Sequence, residues 1–468
     1  MTTSAAVLLF SATLNLAASA PVRIEPDSRN VLLGADAQVR GQMREQDIGL
    51  GKRGWLEGWK DAADSLTWTI DVPQTGDYEI LAVTEGGGER RSLQLDVAGR
   101  QLRVDLSPRW DRLTFGKVRL PAGSTTLQLR SPGAMPVRRF FSLELLRPET
   151  KTDLERRARK LDASTEPLVA GKYGLMFHWT SDSKPREGPP KRYQDAVRDF
   201  DAVRFANMVA ETGAGHVVFT TSHAGMYFPG PNAVMDEILP GRTCDRDLVA
   251  DLAGELGKRG IRLWLYFHPG HDDTEWWKRT YFDQDKKTYF EQWIRIVSAI
   301  GQRYGKSIAG FWFDDAIFTY YPYQPPWEQM TRAAKAGNPE RLVTYNSWIL
   351  PRVCEFYEVF AGESDFSREM IEGHGYLPVG GSGKFTGGPQ AGLQGHITTF
   401  IEQDWGHFKR DTPIGPPQFT AAEMIAKVKD AVDRRNVPTI DAEIYQDGAI
   451  SPATLSLLKA VRQAIKGR

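Results

Sequence analysis

The length and composition of the chain limit the classes of function that it can have. Its 468 residues, 41% hydrophobic and 25% charged, are typical of a globular protein with two domains. Basic and acidic residues number 59 each, so the charge balance does not favour nucleic acid or an anionic membrane surface as a partner. We therefore expect a small or neutral partner molecule.

Residues 1–20 have the pattern of an export signal. The run from Ser4 is apolar or small and ends in Ala18-Ser19-Ala20, which is typical of a signal-peptidase site. This predicts an exported protein, periplasmic or secreted, whose mature chain begins near Pro21. No Lys or Arg precedes the run and proline is unfavourable after a cleavage site, so a misassigned start is the alternative. No later segment is long and apolar enough to span a bilayer.

Residues 21–147 predict an all-β sandwich. Short alternating runs at 65–72, 77–83, 92–97 and 125–130 are separated by glycine- and proline-containing turns. The segments VPQTGDYEI, LPAGSTTLQL and FFSLELL resemble those of galactose-binding-like sandwiches, which implies a carbohydrate-binding module. Trp55, Trp59 and Trp110 are candidates for stacking on sugar, with core or interdomain packing as the alternative. A charged helical linker is expected at 148–168.

From residue 169 to residue 468, strand-like runs alternate with amphipathic helices, which predicts a (β/α)₈ barrel of the α/β class. No Gly-rich dinucleotide fingerprint follows the first strand, which disfavours a doubly wound sheet. The predicted strands are 174–179, 216–221, 261–267, 308–314, 342–346, 356–361, 397–401 and 437–442. The predicted helices include 202–212, 246–259, 288–303, 421–434 and 452–466. Cys244 and Cys354 fall in different units and are interpreted as free.

The fourth predicted strand ends in two carboxylates, Asp314 and Asp315. Strand alternation places Asp314 on the same face as Trp312 and places Asp315 on the opposite face, so the two acids should have different roles. Catalytic residues of barrels lie at the carboxyl ends of strands. Asp314 is therefore a candidate nucleophile, and a capping aspartate is the alternative.

Polar residues follow most of the other strands as well. They are His178, His223, His268, Asn346, Glu363 and Glu402. Three of only eight histidines thus follow the first three strands, which indicates a ring of polar groups around a pocket. Histidines, aromatic side chains and two carboxylates suit the cleavage of a glycosidic bond. A metal site is the competing interpretation, but zinc barrels usually take two histidines from one strand or helical turn.

Four segments resemble, in order, motifs of the retaining α-L-fucosidases. They are YGLMFHWT at 173–180, VVFTTSHAGMYFP at 217–229, the segment 247–269 that ends in YFHP, and GFWFDD at 310–315. In that family the first four strands end in His-Trp, His-His-Asp-Gly, Tyr-Tyr-Ser and Trp-Phe-Asp-Gly, and the last Asp is the nucleophile. The segments 401–408 and 437–465 are similar to its Trp-Gly segment and its closing strand and helix.

The resemblance spans about residues 170–467 and implies a retaining glycosidase with Asp314 as nucleophile and His178 and His223 as sugar-binding groups. Three positions depart from the family pattern: Ser222 replaces a histidine, His268 replaces a serine and Asp315 replaces a glycine. These changes alter the hydrogen-bonding groups of the sugar subsite, so a sugar closely related to fucose is the alternative substrate.

The acid/base is assigned to Glu363, because the segment 361–367 resembles the Ala-Glu-x-Asp-x-Ser segment of one branch of the family. Glu402 is the alternative and Glu358 is the third choice. The remaining candidates for sugar contact are Trp179, Tyr266, His268, Trp312, Glu402 and Trp405. The expected chemistry is double displacement without a metal or organic cofactor. A carbohydrate-binding protein without turnover and a metal-dependent hydrolase stay open as rival functions.

Overall fold

The computed structural model describes residues 21–48, 53–87, 92–132, 137–223, 225–270, 273–282, 284, 286–315, 324–348, 350–363, 377–388 and 390–466. The predicted export signal, residues 1–20, lies outside the described residues. Within the described part of the chain, no helix has the length and apolar character needed to cross a membrane. Cys244 and Cys354 are free, as expected.

The first twelve strands form two sheets. They are β1 (Val22–Arg23), β2 (Asn30–Leu33), β3 (Gln38–Arg40), β4 (Arg44–Glu45), β5 (Leu56–Glu57), β6 (Ser65–Val72), β7 (Gly76–Gly86), β8 (Ser92–Val97), β9 (Arg100–Asp105), β10 (Trp110–Leu120), β11 (Gly123–Arg130) and β12 (Val137–Leu146). One sheet has the order β1-β6-β11-β8-β9, with β3 beside β6, and the other has the order β10-β7-β12-β5-β4, with β2 beside β12. All pairs are antiparallel except β1 with β6.

The two sheets share one hydrophobic core, because alternate residues of each strand point inward. In β6, Leu66, Trp68 and Ile70 are at most 4% exposed. The indoles of Trp55, Trp59 and Trp110 are also buried, and Trp55 and Trp110 pack edge to face with ring centroids 5.7 Å apart. These three side chains offer no open face to a sugar, so the stacking interpretation is wrong and the packing alternative holds.

Two helices, α1 (Pro148–Arg159) and α2 (Glu166–Ala170), connect the sandwich to a parallel sheet. The parallel strands are β13 (Gly174–Phe177), β14 (His216–Thr220), β15 (Arg262–Phe267), β16 (Gly310–Phe313), β17 (Leu342–Tyr345), β18 (His396–Phe400) and β19 (Val437–Asp441). The later helices are α3 (Tyr193–Asp199), α4 (Ala202–Thr212), α5 (Ala233–Ile238), α6 (Leu248–Gly257), α7 (Thr274–Thr280), α8 (Lys287–Tyr304), α9 (Trp327–Ala334), α10 (Ala421–Asp433) and α11 (Pro452–Lys466). Short 3₁₀ turns occupy Gly34–Asp36 and Gly305–Ser307.

The parallel sheet has seven strands in the order β17-β16-β15-β14-β13-β19-β18, and a complete eight-stranded barrel is not shown among the described residues. The predicted sixth strand, 356–361, makes only isolated contacts such as the bridge from Val359 to Gln394. The carboxylate of Glu358 accepts the backbone N–H of Val343 of β17 at 3.0 Å, which takes a donor that a strand partner would otherwise use. Gly362 then bends the chain with φ 61.

The inward-facing side chains of the parallel sheet form a layer beneath the carboxyl ends of the strands. Met176, Val218, Trp264 and Trp312 belong to this layer. Three buried polar side chains cross this layer. Thr439 Oγ1 lies 2.8 Å from His216 Nε2 and 2.7 Å from His396 Nε2. The packed layer leaves the polar residues that follow the strands at one end of the sheet.

Candidate active site

Asp314 directly follows β16 and is half-buried. Its Oδ2 accepts a hydrogen bond from the Tyr266 hydroxyl at 2.5 Å, and its Oδ1 accepts one from the Asn346 side-chain amide at 2.6 Å. Burial and the charge of Asp314 raise the pKa of Tyr266 well above its ordinary value, so the phenol stays a donor. These two bonds orient the carboxylate at the mouth of the sheet.

Glu363 shares the same amide, because Asn346 Nδ2 also donates to Glu363 Oε2. Both acceptor oxygens bond to the same nitrogen, at 2.6 Å or less, so they can be at most about 5 Å apart. Burial, with the charge of Asp314 as the next cause, raises the pKa of Glu363 to about 8. At neutral pH the protonated form of Glu363 is therefore favoured, which is the form that a general acid needs.

Histidine and aromatic rings line the side of the site next to Asp314. His223 stacks on Trp405 with ring centroids 4.5 Å apart, and His178 packs against Tyr266 at 4.9 Å and against Trp405 at 5.0 Å. His223 and Trp405 stay partly exposed. Rings of this kind suit the C–H faces of a sugar, and imidazole N–H groups suit its hydroxyls.

Asp441, the last residue of β19, lies behind His178 and was not among the sequence-based candidates. Its Oδ2 is 2.9 Å from His178 Nδ1, and the carboxyl group is fully buried. Burial raises the pKa of Asp441, and His178 opposes the shift. The signal was available in the sequence, since Asp441 ends an apolar strand-like run in the same way as Asp314 does. The Asp441 carboxyl group is thus a close buried neighbour of the His178 imidazole.

His268 is committed to partners within the protein. Its Nδ1 accepts the backbone N–H of Gly270 at 3.1 Å, so the ring proton is on Nε2, which donates to Asp315 Oδ2 at 3.0 Å. The expectation that His268 binds sugar is therefore not supported by its hydrogen bonds. Ser222 Oγ in turn accepts the backbone N–H of His268 at 3.1 Å. The three departures from the fucosidase pattern thus form one connected unit beside Asp314.

Among the described residues, one group of three potential metal ligands places its atoms within 4.8 Å of one another: His268, Asp314 and Asp315. Tyr266 and Asn346 each donate a hydrogen to Asp314, and the Nε2 proton of His268 points at Asp315. A cation at this point would have to displace these donors. We therefore assign no metal to the group.

Two tryptophans predicted to bind sugar lie in packed positions. Trp179 is 1% exposed, donates its indole N–H to the Gln446 carbonyl at 3.0 Å and packs against Phe200. Strand alternation turns it away from the site because its neighbour His178 points inward. Trp312 is 2% exposed and lies in the layer beneath Asp314, next to His396. Both residues support the site without reaching its surface.

The alternative acids also have other partners. Glu402 is fully buried, accepts the backbone N–H of Glu443 at 3.0 Å and accepts the hydroxyl of Thr454 in α11, and burial raises its pKa to about 7. Its carboxyl group thus ties β18 to α11, which does not match a sugar-contact role. Glu358 pairs with Lys335 at 2.5 Å and accepts the backbone N–H of Val343. Of the three proposed acids, only Glu363 shares a hydrogen-bond donor with Asp314.

Two neighbouring carboxyl groups, with histidine and aromatic rings at the carboxyl ends of a parallel sheet, are the arrangement expected of a glycosidase. The family model described as alpha-L-fucosidase matches residues 191–459, more than half of the chain. The protein belongs to the α-L-fucosidase family, and the resemblance seen in the sequence is confirmed.

The chain is also similar to solved structures at low sequence identity. An α-L-fucosidase from Bacteroides thetaiotaomicron is 16% identical, with 65% of this chain and 74% of that chain covered and a TM-score of 0.47. The α-L-fucosidase AlfC from Lactobacillus casei is 15% identical, with coverages of 65% and 99% and a TM-score of 0.47. The endo-fucoidan hydrolase MfFcnA4 is 11% identical, with coverages of 67% and 54% and a TM-score of 0.49. No curated protein matches the chain.

Proposed function

We propose that the protein is a retaining exported glycosidase that removes terminal α-L-fucosyl, or closely related, residues from glycans. The observation that carries the proposal is the single Asn346 amide that donates to both Asp314 and Glu363. Because both oxygens lie 2.6 Å or less from one nitrogen, they are at most about 5 Å apart. Retaining enzymes hold their carboxyl groups about 5–5.5 Å apart, whereas inverting enzymes need about 6.5–9.5 Å for an intervening water.

In the first step, Asp314 attacks the anomeric carbon while Glu363 gives its proton to the glycosidic oxygen, so the C–O bond breaks and the aglycone leaves as an alcohol. In the second step, Glu363 takes a proton from water, and the resulting hydroxide displaces Asp314 from the sugar. Both groups then return to their starting protonation states. The pKa of Glu363, raised to about 8, supports its role as the acid at neutral pH.

In the proposed complex, His178, His223 and Trp405 contact the sugar, and Tyr266 orients the nucleophile. The unit formed by Ser222, His268 and Asp315 lies beside this subsite, so a sugar other than fucose is a specific alternative. We also propose that the segment 356–363 takes the place of the missing strand and brings the sheet close to a barrel. It contacts β17 through Glu358 and β18 through the bridge from Glu363 to Thr398.

The proposal is tested by assaying the protein on aryl α-L-fucosides and aryl α-L-galactosides and following the anomeric configuration of the first product by NMR. We expect turnover with retention, no turnover for Asp314→Ala, and normal turnover for the control Asp64→Asn, a buried carboxylate in the sandwich. Initial inversion would contradict the retaining mechanism. Saturable sugar binding without turnover would favour the carbohydrate-binding alternative, and loss of activity with chelators would favour the metal-dependent one.

A further inference from the structure

Asn346 contacts both carboxyl groups and takes no part itself in the proton transfers of the proposed chemistry. It directly follows β17 and is 1% exposed. One hydrogen of its amide is donated to Asp314 Oδ1 at 2.6 Å and the other to Glu363 Oε2, while its Oδ1 accepts the backbone N–H of Trp348 at 2.9 Å. Both donor hydrogens of the amide and one acceptor site on its oxygen are thus bonded to other groups of the protein.

These partners determine which end of the amide faces the carboxyl groups. The Trp348 N–H can only donate, so it must face the amide oxygen, and the nitrogen must then face Asp314 and Glu363. Trp348 has φ 52, a left-handed conformation that costs a bulky residue about 1–3 kcal/mol. The strained turn and the bond from Trp348 hold the amide in one orientation, which makes Asn346 a rigid donor.

We propose that Asn346 is the positioning residue of the reaction, which sets the separation and the relative orientation of the two catalytic carboxyl groups. This inference rests on the proposed function of Asp314 and Glu363. The amide can act throughout the cycle because an N–H donates equally well to a carboxylate, to the carbonyl oxygen of a carboxylic acid and to that of a glycosyl ester. Neither the proton transfer from Glu363 nor glycosylation of Asp314 therefore requires Asn346 to release its partner.

The test uses the full chain and the variants Asn346→Ala and Asn346→Asp. The first removes both donors, and the second keeps the side-chain shape but presents oxygen to both carboxyl groups. We expect kcat to fall about 100-fold in each variant with little change in KM, because misplacement by about 1 Å costs this much. The loss should be larger for aryl glycosides with poor leaving groups, which depend on the proton from Glu363.

A second measurement separates positioning from a merely structural role. The bond from Asn346 lowers the pKa of Glu363 from a still higher value, so removing it should move the basic limb of the pH profile to higher pH. The same upward shift should be seen when the Glu363 carboxyl group is titrated directly by NMR. The matched control is Asn436→Ala, which removes a buried asparagine that precedes β19 at the other end of the sheet. This variant should leave both kcat and the basic limb of the pH profile unchanged.

The outcomes distinguish this inference from the proposed function. A wild-type protein that turns over glycosides, together with Asn346 variants whose kcat and basic limb are unchanged, would overturn the positioning role alone. A wild-type protein without turnover would overturn the proposed function and this role with it. If Asn346→Ala does not fold, the isosteric Asn346→Asp carries the test, and its Glu363 titration gives an answer even when activity is too low to assay.

Discussion

At the scale of single residues, the contact between His268 and Asp315 is the best place to test how the site departs from the family pattern. Both side chains are buried and share a 3.0 Å hydrogen bond. His268→Ser should destabilise by about 3–5 kcal/mol, because it removes a donor from a buried carboxylate. Asp315→Gly should cost less, about 1–3 kcal/mol, because glycine also suits the φ of 48 at this position.

The double variant His268→Ser with Asp315→Gly is the control for this pair. It removes both partners together, so its loss should be smaller than the sum of the single losses by about 0.5–3 kcal/mol, measured by urea unfolding. Additive losses would mean that the two departures act independently. Comparing fucoside with galactoside hydrolysis in the double variant then tests whether the pair also affects sugar preference.

The residues of the site could be predicted only in part from the sequence. The sequence singled out Asp314, Asn346 and Glu363 because polar residues that follow apolar strand-like runs mark the mouth of a parallel sheet, and the structure brings these three side chains into contact. Asp441 ends its strand in the same way but was missed, because the prediction of that strand extended one residue further, to Ala442. Trp179 was misassigned since strand alternation alone does not say which of two adjacent residues, His178 or Trp179, faces the pocket.

At the scale of elements, local signals determined how well each boundary could be predicted. The predicted bounds of α4 match the structure, in which Asp201 caps its first turn and Gly213, with φ 81, ends its last. The predicted strand 356–361 formed only bridges, because the Glu358 side chain takes the Val343 N–H that a regular ladder would use. A side chain that takes the place of a backbone hydrogen-bond partner cannot be recognised from hydrophobic periodicity.

The histidines inside the parallel sheet make its stability depend on pH. Burial lowers the pKa of His216 to about 3 and that of His396 to about 4, from an ordinary value of 6.5. Between the lowered pKa values and 6.5, the unfolded chain binds more protons than the folded one. The free energy of unfolding should therefore fall as the pH falls from about 6.5 to about 4. Thermal unfolding followed by circular dichroism across this range measures the effect.

His216→Gln is the matched variant for this prediction. A glutamine amide can still donate to Thr439 but cannot take up a proton, so the dependence of the unfolding temperature on pH should become shallower. At pH 7.5 the variant should differ little from the wild type, because His216 is neutral there. A variant with the same steep loss of stability in acid would assign that loss to other groups.

At the scale of the whole molecule, a partly buried ion-pair network joins the sandwich to the segment that follows β17. Arg29 pairs with Glu144 of β12 at 2.7 Å and with Glu355, and Arg112 of β10 pairs with the same Glu144 at 3.0 Å. The charges of the arginines lower the pKa of both Glu144 and Glu355 against the opposing effect of burial, so both carboxyl groups stay ionised. Glu355 lies eight residues before Glu363, which connects the sandwich to the loop that carries the proposed acid.

Arg29→Ala should therefore destabilise the protein by about 2–3 kcal/mol, because it leaves the buried carboxylate of Glu144 and the partly buried one of Glu355 with one arginine fewer, while Arg112 still pairs with Glu144. The control is Arg119→Ala, which breaks an exposed pair with Asp77 in the same sandwich and should cost less than about 1 kcal/mol. Calorimetry of both variants measures the difference.

Because Glu355 is close in sequence to Glu363, Arg29→Ala should also lower kcat on substrates with poor leaving groups more than on those with good ones. Losses of similar size in both variants would show that the network is no stronger than a surface pair, and an unchanged dependence on the leaving group would show that the sandwich does not influence the acid.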